Sequence, residues 1–313
     1  MKETVLVTGG AGFIGSHLCE ALAKKGYSVR AFDNLSYGKM ENLDGVEGVE
    51  FVRGDLRSMP ELLDACKGAD FVLHEAALRS VPLSMKDPAE FAEVNDFGTV
   101  NLLEASRKSG VSRIVFASSS SVYGNAGKFP QEEGDATAPV SPYALTKLCG
   151  EQYMKLYNDV FGLETISLRY FNVFGPRQDP NSAYSGVISI FAKKMLAGVS
   201  PTVHGTGKQS RDFTFVSNVA EANLCAIRAG KKACGETFNV CAGKSTSLLD
   251  IVSSLNRILG TNITPVFGPK REGDVPKTLG SPAKAKKLLG FHAKEGFGEG
   301  LKKTVEWVKT EKP

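Results

Sequence analysis

A glycine-rich segment near the N-terminus constrains the fold of this chain more than any other feature. It reads Thr8-Gly9-Gly10-Ala11-Gly12-Phe13-Ile14-Gly15 and follows the apolar run 5–7. Apolar residues then recur at helical spacing over 13–25, so the segment joins a strand to the start of a helix. Glycine at positions 9, 12 and 15 permits a tight turn and close packing of the helix on the strand. The sequence therefore predicts a strand–turn–helix unit with accessible backbone N–H groups at the turn.

Such a turn binds the pyrophosphate of a dinucleotide, because backbone N–H groups and the helix N-terminus both face the anion. Asp33 ends the next apolar run, about 20 residues further on, where an acid binds the adenosine ribose and repels a 2′-phosphate. We therefore expect NAD rather than NADP, although Lys39 could tolerate some NADP. A second acid, Asp55, follows the run 49–53 and either binds the adenine amino group or lies on a plain surface loop.

Apolar β-branched runs alternate with longer helical patterns from residue 4 to about residue 175. This alternation is typical of an α/β protein with a Rossmann-type doubly wound parallel sheet, whose ligands bind at the carboxyl ends of the strands. We predict strands at 4–8, 28–33, 49–53, 70–74, 112–118 and 163–170, and helices at 13–25, 60–66, 88–109 and 143–161.

Beyond residue 175 the pattern loosens into short elements between Gly- and Pro-rich turns. We predict that residues 1–175 form an NAD-binding Rossmann domain, to which segments near 211–242 return. A smaller C-terminal substrate-binding domain would then consist of 176–210 and 243–313.

Composition argues against several other classes of protein. The 313 residues carry a formal net charge of +4, which is too mild for a nucleic-acid binder but suits an anionic small-molecule substrate. The six cysteines are scattered without a CxxC pair, so we expect reduced thiols and neither a metal site nor a disulfide framework. No apolar stretch approaches the ~18 residues of a membrane span, and the first strand follows Met-Lys-Glu directly. We expect a cytoplasmic protein without a signal peptide.

Tyr143 and Lys147 form a second motif, Tyr-x-x-x-Lys, on the predicted helix 143–161. Four residues apart, they share one face of a helix. A phenol is a poor base at neutral pH because its pKa is about 10, but a neighbouring ammonium and a positive nicotinamide stabilise the phenolate. Ser119, at the end of a predicted strand, could hydrogen-bond the same substrate hydroxyl. Alone the motif is typical of a surface helix; with the glycine turn it predicts proton transfer beside a nicotinamide.

These motifs resemble those of the extended short-chain dehydrogenase/reductases, and the resemblance covers nearly the whole chain. Within them the chain looks most like the nucleotide-sugar 4-epimerases related to UDP-galactose 4-epimerase. The segments that carry the resemblance are His74-Glu75-Ala76-Ala77, Asn95-x-x-Gly98-Thr99, Ser118-Ser119-Ser120-Ser121-Val122-Tyr123-Gly124, Ser141-Pro142-Tyr143 and Leu168-Arg169-Tyr170-Phe171-Asn172-Val173-Phe174-Gly175-Pro176.

The resemblance implies a mechanism and an assembly. Ser119, Tyr143 and Lys147 would be catalytic, with Tyr143 removing the proton from the hydroxyl on sugar carbon 4 while the hydride passes to bound NAD. The 4-keto sugar would turn over in the site and receive the hydride on its opposite face. Members of this family usually dimerise through the helices that correspond to 88–109 and 143–161, although these helices could instead pack within one chain.

The pattern and the resemblance together assign the site residues. The expected cofactor contacts are Gly9, Gly12, Phe13, Ile14, Gly15, Asp33, Asn34, Asp55, Leu56, Ala76, Ala77, Asn95 and Lys147. The expected substrate contacts are Arg79, Ser80, Ser120, Ser121, Tyr143, Asn172, Val187, His204, Arg211, Arg271, Asp274 and Thr278. Arg211 and Arg271 would hold the substrate pyrophosphate, since a guanidinium matches phosphate oxygens bidentately. Asp274 would hold the ribose or orient Arg271, and Asn95 would also support the active-site helix.

Two positions bear on which UDP-sugar is bound. Thr278 falls where members restricted to UDP-glucose and UDP-galactose carry a bulky tyrosine, so the resemblance implies room for the acetamido group of UDP-GlcNAc and UDP-GalNAc. Thr278 could instead merely line a loop. Arg79 replaces a small residue of the hexosamine-preferring members and could pair with a carboxylate. UDP-glucuronate 4-epimerisation is therefore an alternative, and a non-catalytic NAD-binding regulator is another, which would bind the cofactor without turnover.

Overall fold

The computed structural model describes residues 2–180, 186–270 and 275–311. The strands are β1 (Thr4–Thr8), β2 (Ser28–Asp33), β3 (Val49–Arg53), β4 (Phe71–His74), β5 (Arg113–Ser119), β6 (Glu164–Tyr170), β7 (Val173–Phe174), β8 (Thr202–His204), β9 (Ser210–Asp212), β10 (Thr214–Phe215), β11 (Glu236–Val240), β12 (Ser245–Ser247) and β13 (Val266–Gly268). The α-helices are α1 (Phe13–Lys24), α2 (Met59–Cys66), α3 (Val81–Lys86), α4 (Pro88–Phe91), α5 (Gly98–Ser109), α6 (Pro142–Phe161), α7 (Val187–Leu196), α8 (Val216–Arg228), α9 (Leu248–Leu259), α10 (Ala283–Leu289) and α11 (Phe297–Thr310).

Seven parallel strands form the central sheet in the order β3–β2–β1–β4–β5–β6–β11. The six strands predicted from the apolar runs are confirmed, each within one residue of its predicted bounds. The strand order reverses between β1 and β4, where the carboxyl ends of neighbouring strands open a ligand-binding crevice in this type of sheet. The predicted Rossmann-type doubly wound fold is thus confirmed.

Helices cover both faces of the sheet because its central strands are apolar on both sides. On one face α1 and α8 pack through a core that includes Leu18 and Val219. On the other face α2, α5 and α6 contribute Leu62, Leu102 and Met154 to a second core. The two cores fix the helices that carry the glycine turn and the Tyr-x-x-x-Lys motif.

The helix predicted at 88–109 is helical throughout, but it is not a regular α-helix along its whole length. A π-helical segment, Ala92–Phe97, separates α4 from α5. Such segments insert an extra residue into a helical turn and often lie at functional sites. This one carries Asn95, whose side chain is buried between the loop after β4 and α6.

The C-terminal part of the chain has a separate aromatic core. Rings of Phe174, Phe213, Phe215 and Phe297 contact one another with centroids 5.4 to 6.2 Å apart, and α7, α9 and α11 pack around them. Within 211–242, β11 joins the central sheet, and α8 packs beside α1 on one face of that sheet. Phe213 and Phe215, from the same stretch, belong to the aromatic core. The division into two domains stays a prediction.

Three further findings concern the described residues. No helix in the described ranges is long and apolar enough to cross a membrane. In the same ranges no group of three His, Cys, Asp or Glu side chains is arranged to hold a metal ion. All six cysteines carry free thiols.

Candidate active site

The glycine turn after β1 is too tightly packed for side chains. The N–H of Gly12 donates to the Gly9 carbonyl at 3.0 Å, and a Cβ on Gly15 would lie 2.0 Å from that same carbonyl oxygen. Gly9 has a φ of +69°, and a Cβ there would lie 2.8 Å from the Ala76 nitrogen. The turn therefore leaves its backbone open to a ligand at the N-terminus of α1, as a pyrophosphate requires.

Asp33 stands at the end of β2, beside the glycine turn. Its carboxylate accepts hydrogen bonds from the backbone N–H groups of Ala11, at 3.1 Å, and Leu35, at 2.8 Å. Burial raises the pKa of Asp33, and the two N–H groups oppose that shift. A Cβ on Gly38 would lie 2.8 Å from both carboxylate oxygens, so glycine is required there, a constraint the sequence analysis missed. Lys39 forms an ion pair with Asp179 at 3.1 Å.

A cleft of about 400 Å³ runs from Asp33 past the glycine turn to the loop after β4. Its shape and its open backbone groups fit a dinucleotide. The expected site residues that line it are Gly9, Gly12, Phe13, Ile14, Gly15, Asp33, Asn34, Asp55, Leu56, Ala76, Ala77 and Arg79. Glu75 also lines the cleft, and the sequence analysis gave that residue no role.

Two expected cofactor residues have their polar groups engaged by the protein. Asp55 accepts hydrogen bonds from Arg57 and from Asn34 Nδ2, the latter at 2.9 Å, and these bonds hold its pKa well below the usual range. Asn95 donates to the Leu78 carbonyl and to Thr146 Oγ1, both at 3.0 Å, and accepts from the Leu78 N–H. Asn95 thus ties the loop after β4 to α6, and its role in supporting the active-site helix stays a prediction.

Ser119, Tyr143 and Lys147 meet at the carboxyl end of β5. Ser141 caps α6 by accepting from the Ala144 N–H at 3.2 Å, and Pro142 begins the helix. This start places Tyr143 on the first turn, where the Ser119 side chain comes close enough to oppose the rise in the pKa of Tyr143. Ser119 Oγ also accepts from the Ser121 hydroxyl at 2.9 Å, so the Ser119 hydroxyl can donate to Tyr143.

Several neighbouring groups shift the pKa of the Tyr143 hydroxyl. Burial raises the pKa of Tyr143, and the groups that oppose the rise are Ser119 and the guanidinium of Arg79. Lys147 instead donates to the Ala117 carbonyl at 2.8 Å. Burial lowers the pKa of Lys147, while the nearby carboxyl groups of Glu75 and Asp96 raise it. Ser119 and Arg79 thus favour the phenolate, and the stabilisation expected from Lys147 stays a prediction.

A buried ion pair fixes α6 against the sheet behind these residues. Arg169 on β6 and Glu151 on α6 are 2.7 Å apart with side chains only 5% and 3% exposed. Ser118 donates to the same carboxylate, and the Arg169 guanidinium lies over the Tyr123 ring. Sequence reasoning missed this pair because Glu151 on its own is typical of a solvated helix face.

Beyond the carboxyl ends of β6 and β11, three loops are joined by side-chain hydrogen bonds. Asn172 has a φ of +31° and donates to Thr278 Oγ1 at 2.9 Å. Asp212 is fully buried, and its carboxylate accepts from the N–H groups of Ala242, Gly243 and Gly280 at 3.0 to 3.2 Å. Burial raises the pKa of Asp212 to about 6. Asp212 organises this side, although the sequence analysis assigned it no role.

The remaining expected substrate residues are dispersed. Ser80 caps α3 by accepting from Leu83, at 3.2 Å, and Ser120 begins a 3-10 turn over 120–123. The other positions are Val187 at the start of α7, His204 on β8 with Nδ1 donating to the Pro269 carbonyl, and Arg211 on β9 with Nη1 donating to the Ser210 carbonyl. Arg271 and Asp274 lie outside the described residues.

The parallel sheet, the glycine turn and the Ser–Tyr–Lys group define the class as the extended short-chain dehydrogenase/reductases. The family described as the NAD dependent epimerase/dehydratase family matches residues 5–241. The chain therefore belongs to the NAD-dependent epimerase/dehydratase family, as the resemblance implied, and its cofactor is NAD.

Relatives match over nearly the full length. A putative UDP-glucose 4-epimerase of Methanocaldococcus jannaschii is 40% identical, covering 97% of this chain and 98% of its own. A UDP-N-acetylglucosamine 4-epimerase of Methanobrevibacter ruminantium, solved with UDP-N-acetylmuramic acid, has a TM-score of 0.94 and 37% identity over 99% of both chains. A UDP-glucuronic acid 4-epimerase of Bacillus cereus, solved with NAD and a fluorinated UDP-glucuronic acid, has a TM-score of 0.90 and 33% identity, covering 98% of this chain and 99% of its own.

Proposed function

We propose that this protein is a cytoplasmic, homodimeric UDP-sugar 4-epimerase that prefers UDP-GlcNAc and UDP-GalNAc and also converts UDP-glucose and UDP-galactose. The observation that carries the reaction type is the approach of Ser119 to Tyr143, with Lys147 one helical turn away and with Glu75 and Arg79, which line the dinucleotide cleft, acting on Tyr143. The chemistry of the relatives agrees with this reaction.

In this mechanism the chain's own residues move one proton. When bound, NAD supplies hydride acceptance and return at sugar carbon 4. Tyr143 takes the proton of the carbon-4 hydroxyl as that carbon is oxidised, and gives it back when the carbonyl is reduced from the opposite face. Ser119 holds the phenol in place, and the positive charge of Arg79 favours the phenolate. No external oxidant is consumed, because the hydride returns in each cycle.

The preference for an acetamido sugar rests on Thr278. Its side chain is small, and its hydroxyl oxygen accepts from Asn172 Nδ2 and from the Asp212 N–H, at 3.2 Å for the latter. Asn172 is an expected contact of the sugar diphosphate, so Thr278 stands beside the substrate pocket. A threonine there leaves volume that a tyrosine would fill, and steric exclusion is a strong filter between substrates.

A UDP-sugar with a carboxylate, UDP-glucuronate first, is the alternative substrate, and Arg79 favours it. Arg79 lines the cleft, its charge reaches Tyr143, and none of the described residues forms an ion pair with it. A guanidinium without a counter-charge beside the sugar site would pair with a carboxylate. This reading makes Arg79 a specificity residue, so Arg79→Ala would lower turnover of UDP-glucuronate far more than that of UDP-glucose.

The test is proton NMR of the purified protein with UDP-GlcNAc, UDP-glucose and UDP-glucuronate in parallel. We expect UDP-GalNAc signals to grow to a plateau without added NAD. Tyr143→Phe should lower this rate by at least about 1,000-fold while NAD stays bound, because the proton acceptor is lost. The matched control is Tyr153→Phe on the same helix, which should keep full activity. NAD binding with no turnover of any of the three sugars would favour the non-catalytic regulator instead.

The homodimer is supported by an apolar strip on α6 and the π-helical segment. Phe97, Leu145, Leu156 and Val160 are between 47% and 63% exposed, and such a contiguous apolar surface marks an interface. A second copy of the chain would bury it as a two-fold contact. Light scattering should report a dimer for the native protein and a monomer for Val160→Glu. Val199→Glu, which changes another exposed valine outside the strip, should stay dimeric. A monomeric native protein would refute this assembly.

A further inference from the structure

Glu75 is a carboxyl group at the catalytic end of the cleft to which the mechanism above gives no task. It follows β4 directly and is partly exposed to the cleft. Its Oε1 accepts a hydrogen bond from the Tyr170 hydroxyl at 2.6 Å, and that hydroxyl accepts from Asn223 Nδ2 at 2.8 Å. The carboxyl group is thus held in place by residues from β6 and α8.

The charged and titratable groups around Glu75 lie on α6, on β6, on the π-helical segment and in the loop after β4. On α6 these are Lys147, whose charge interacts with Glu75, and Tyr143, whose pKa the Glu75 carboxylate raises. Tyr170 lies on β6, and Asp96, on the π-helical segment, also acts on Lys147. Arg79 lies four residues further along the cleft wall. The carboxylate therefore faces one ammonium and two phenols, and burial raises its pKa while Lys147 lowers it.

We propose that Glu75 is a positioning residue whose negative charge keeps the bound dinucleotide in its oxidised form, an inference that rests on the proposed function for its biological meaning. A nicotinamide ring is positive when oxidised and neutral when reduced. Because Tyr143 and Lys147 mark the end of the cleft where this ring reacts, a carboxylate there stabilises the oxidised form more than the reduced form. This bias suits an enzyme that must return its hydride in each cycle. If the keto sugar dissociated, the reduced dinucleotide would have no substrate to which it could return the hydride.

The charge of Glu75 can be separated from its hydrogen bond. Glu75→Gln removes the charge but keeps an oxygen that accepts from Tyr170. Tyr170→Phe removes a hydrogen bond that lowers the pKa of Glu75, so both variants are compared in mildly alkaline buffer, where the carboxylate stays charged. Protein stripped of cofactor is titrated with NAD and with NADH, and the ratio of the two Kd values is compared. A purely structural role would weaken both ligands together and leave the ratio unchanged.

For Glu75→Gln we expect the ratio of the Kd for NAD to the Kd for NADH to rise roughly tenfold, the effect of one charge at ~10 Å in an effective dielectric of ~20. Tyr170→Phe should change it less than about twofold in the alkaline buffer, because the carboxylate stays charged there. An unchanged ratio in Glu75→Gln, or an equal change in both variants, would overturn the inference. In the native protein the ratio should rise on acidification as Glu75 is protonated, and a flat pH response would overturn it too, without any variant.

A second readout uses the holoenzyme. After UDP-sugar is added, absorbance near 340 nm reports the fraction of reduced cofactor, which should be higher in Glu75→Gln than in the native protein. If no UDP-sugar is epimerised, the Kd ratio still tests Glu75, so the two proposals fail separately. Epimerisation with an unchanged ratio of the two Kd values would refute the role of Glu75 and leave the proposed function intact.

Discussion

The expected cofactor side of the site is shaped mainly by backbone, whereas the expected substrate side is shaped by side chains. Gly9 and Gly15 leave no space for a Cβ, and Asp33 is held by two backbone N–H groups. On the expected substrate side, Thr278 and Asp212 join three loops from distant parts of the chain through their side chains. Substitutions on the cofactor side should therefore abolish NAD binding. On the substrate side, one substitution should be enough to change which sugar is accepted.

Gly15→Ala gives the largest expected effect, because it tests the rigid side. The new Cβ would lie 2.0 Å from the Gly9 carbonyl oxygen, so the turn and the start of α1 must move apart. We expect the affinity for NAD to fall at least about 100-fold, as a displacement of about 1 Å at a ligand site can cost that much. Isothermal titration of cofactor-free protein measures it.

Gly298→Ala is the matched control for this change. Gly298 lies on α11, and a Cβ there would have no atom within 4 Å. Alanine should raise the stability of that helix slightly and leave NAD affinity unchanged. If Gly15→Ala bound NAD as well as Gly298→Ala does, the turn would be less rigid than its contacts indicate, and the contrast between the two sides would fail.

Thr278→Tyr tests the adaptable side and should have a smaller, selective effect. A tyrosine would fill the volume assigned to the acetamido group, so kcat/KM for UDP-GlcNAc should fall about 10- to 200-fold relative to that for UDP-glucose. The substitution also removes the hydroxyl that accepts from Asn172, which should lower both rates. Thr278→Val removes that hydroxyl without adding bulk and isolates the second effect. If kcat/KM fell equally for both sugars in Thr278→Tyr, Thr278 would not be the residue that selects between them.

The same difference explains which features could be predicted from the sequence. The glycine turn, Asp33 and the six strands follow from local patterns, because each depends on residues close together in the chain. The Tyr-x-x-x-Lys motif is also local, and its pairing with Ser119 follows from the position of both at the same edge of the sheet. Gly38 is the exception, since its constraint comes from the carboxylate of Asp33 across a loop.

The substrate side could be predicted only through resemblance. Asp212 holds backbone groups of residues 242, 243 and 280, up to 68 positions away, and no spacing rule reveals such contacts. Glu151 and Glu75 look like ordinary surface acids in the sequence, yet the fold places one in a buried ion pair and the other in the cleft. Their roles depend on what the sheet brings next to them, which a single sequence does not encode locally.

The smallest expected effect is a difference in how the two sides respond to acid. His74, below the cofactor, lies between the hydroxyls of Thr8 and Thr99, and burial lowers its pKa from 6.5 to about 3. The stability that neutral His74 contributes is present above pH 6.5 and is lost as the pH falls toward 3. Asp212 has the opposite sign: burial raises its pKa from 3.8 to about 6, so its contribution is present below 3.8 and is lost as the pH rises through 6.

Urea denaturation at a series of pH values below 6.5 measures this difference through the slope of the unfolding free energy against pH, which reaches at most about 1.4 kcal/mol per pH unit for one group. His74→Gln should flatten the loss of stability on acidification, because the unfolded chain no longer takes up that proton. Asp212→Asn should make the loss steeper, because the folded chain no longer takes up a proton near pH 6. The slope is the informative quantity, since both substitutions also change stability at every pH. Equal slopes in the two variants would show that the two sides are not protonated in opposite senses.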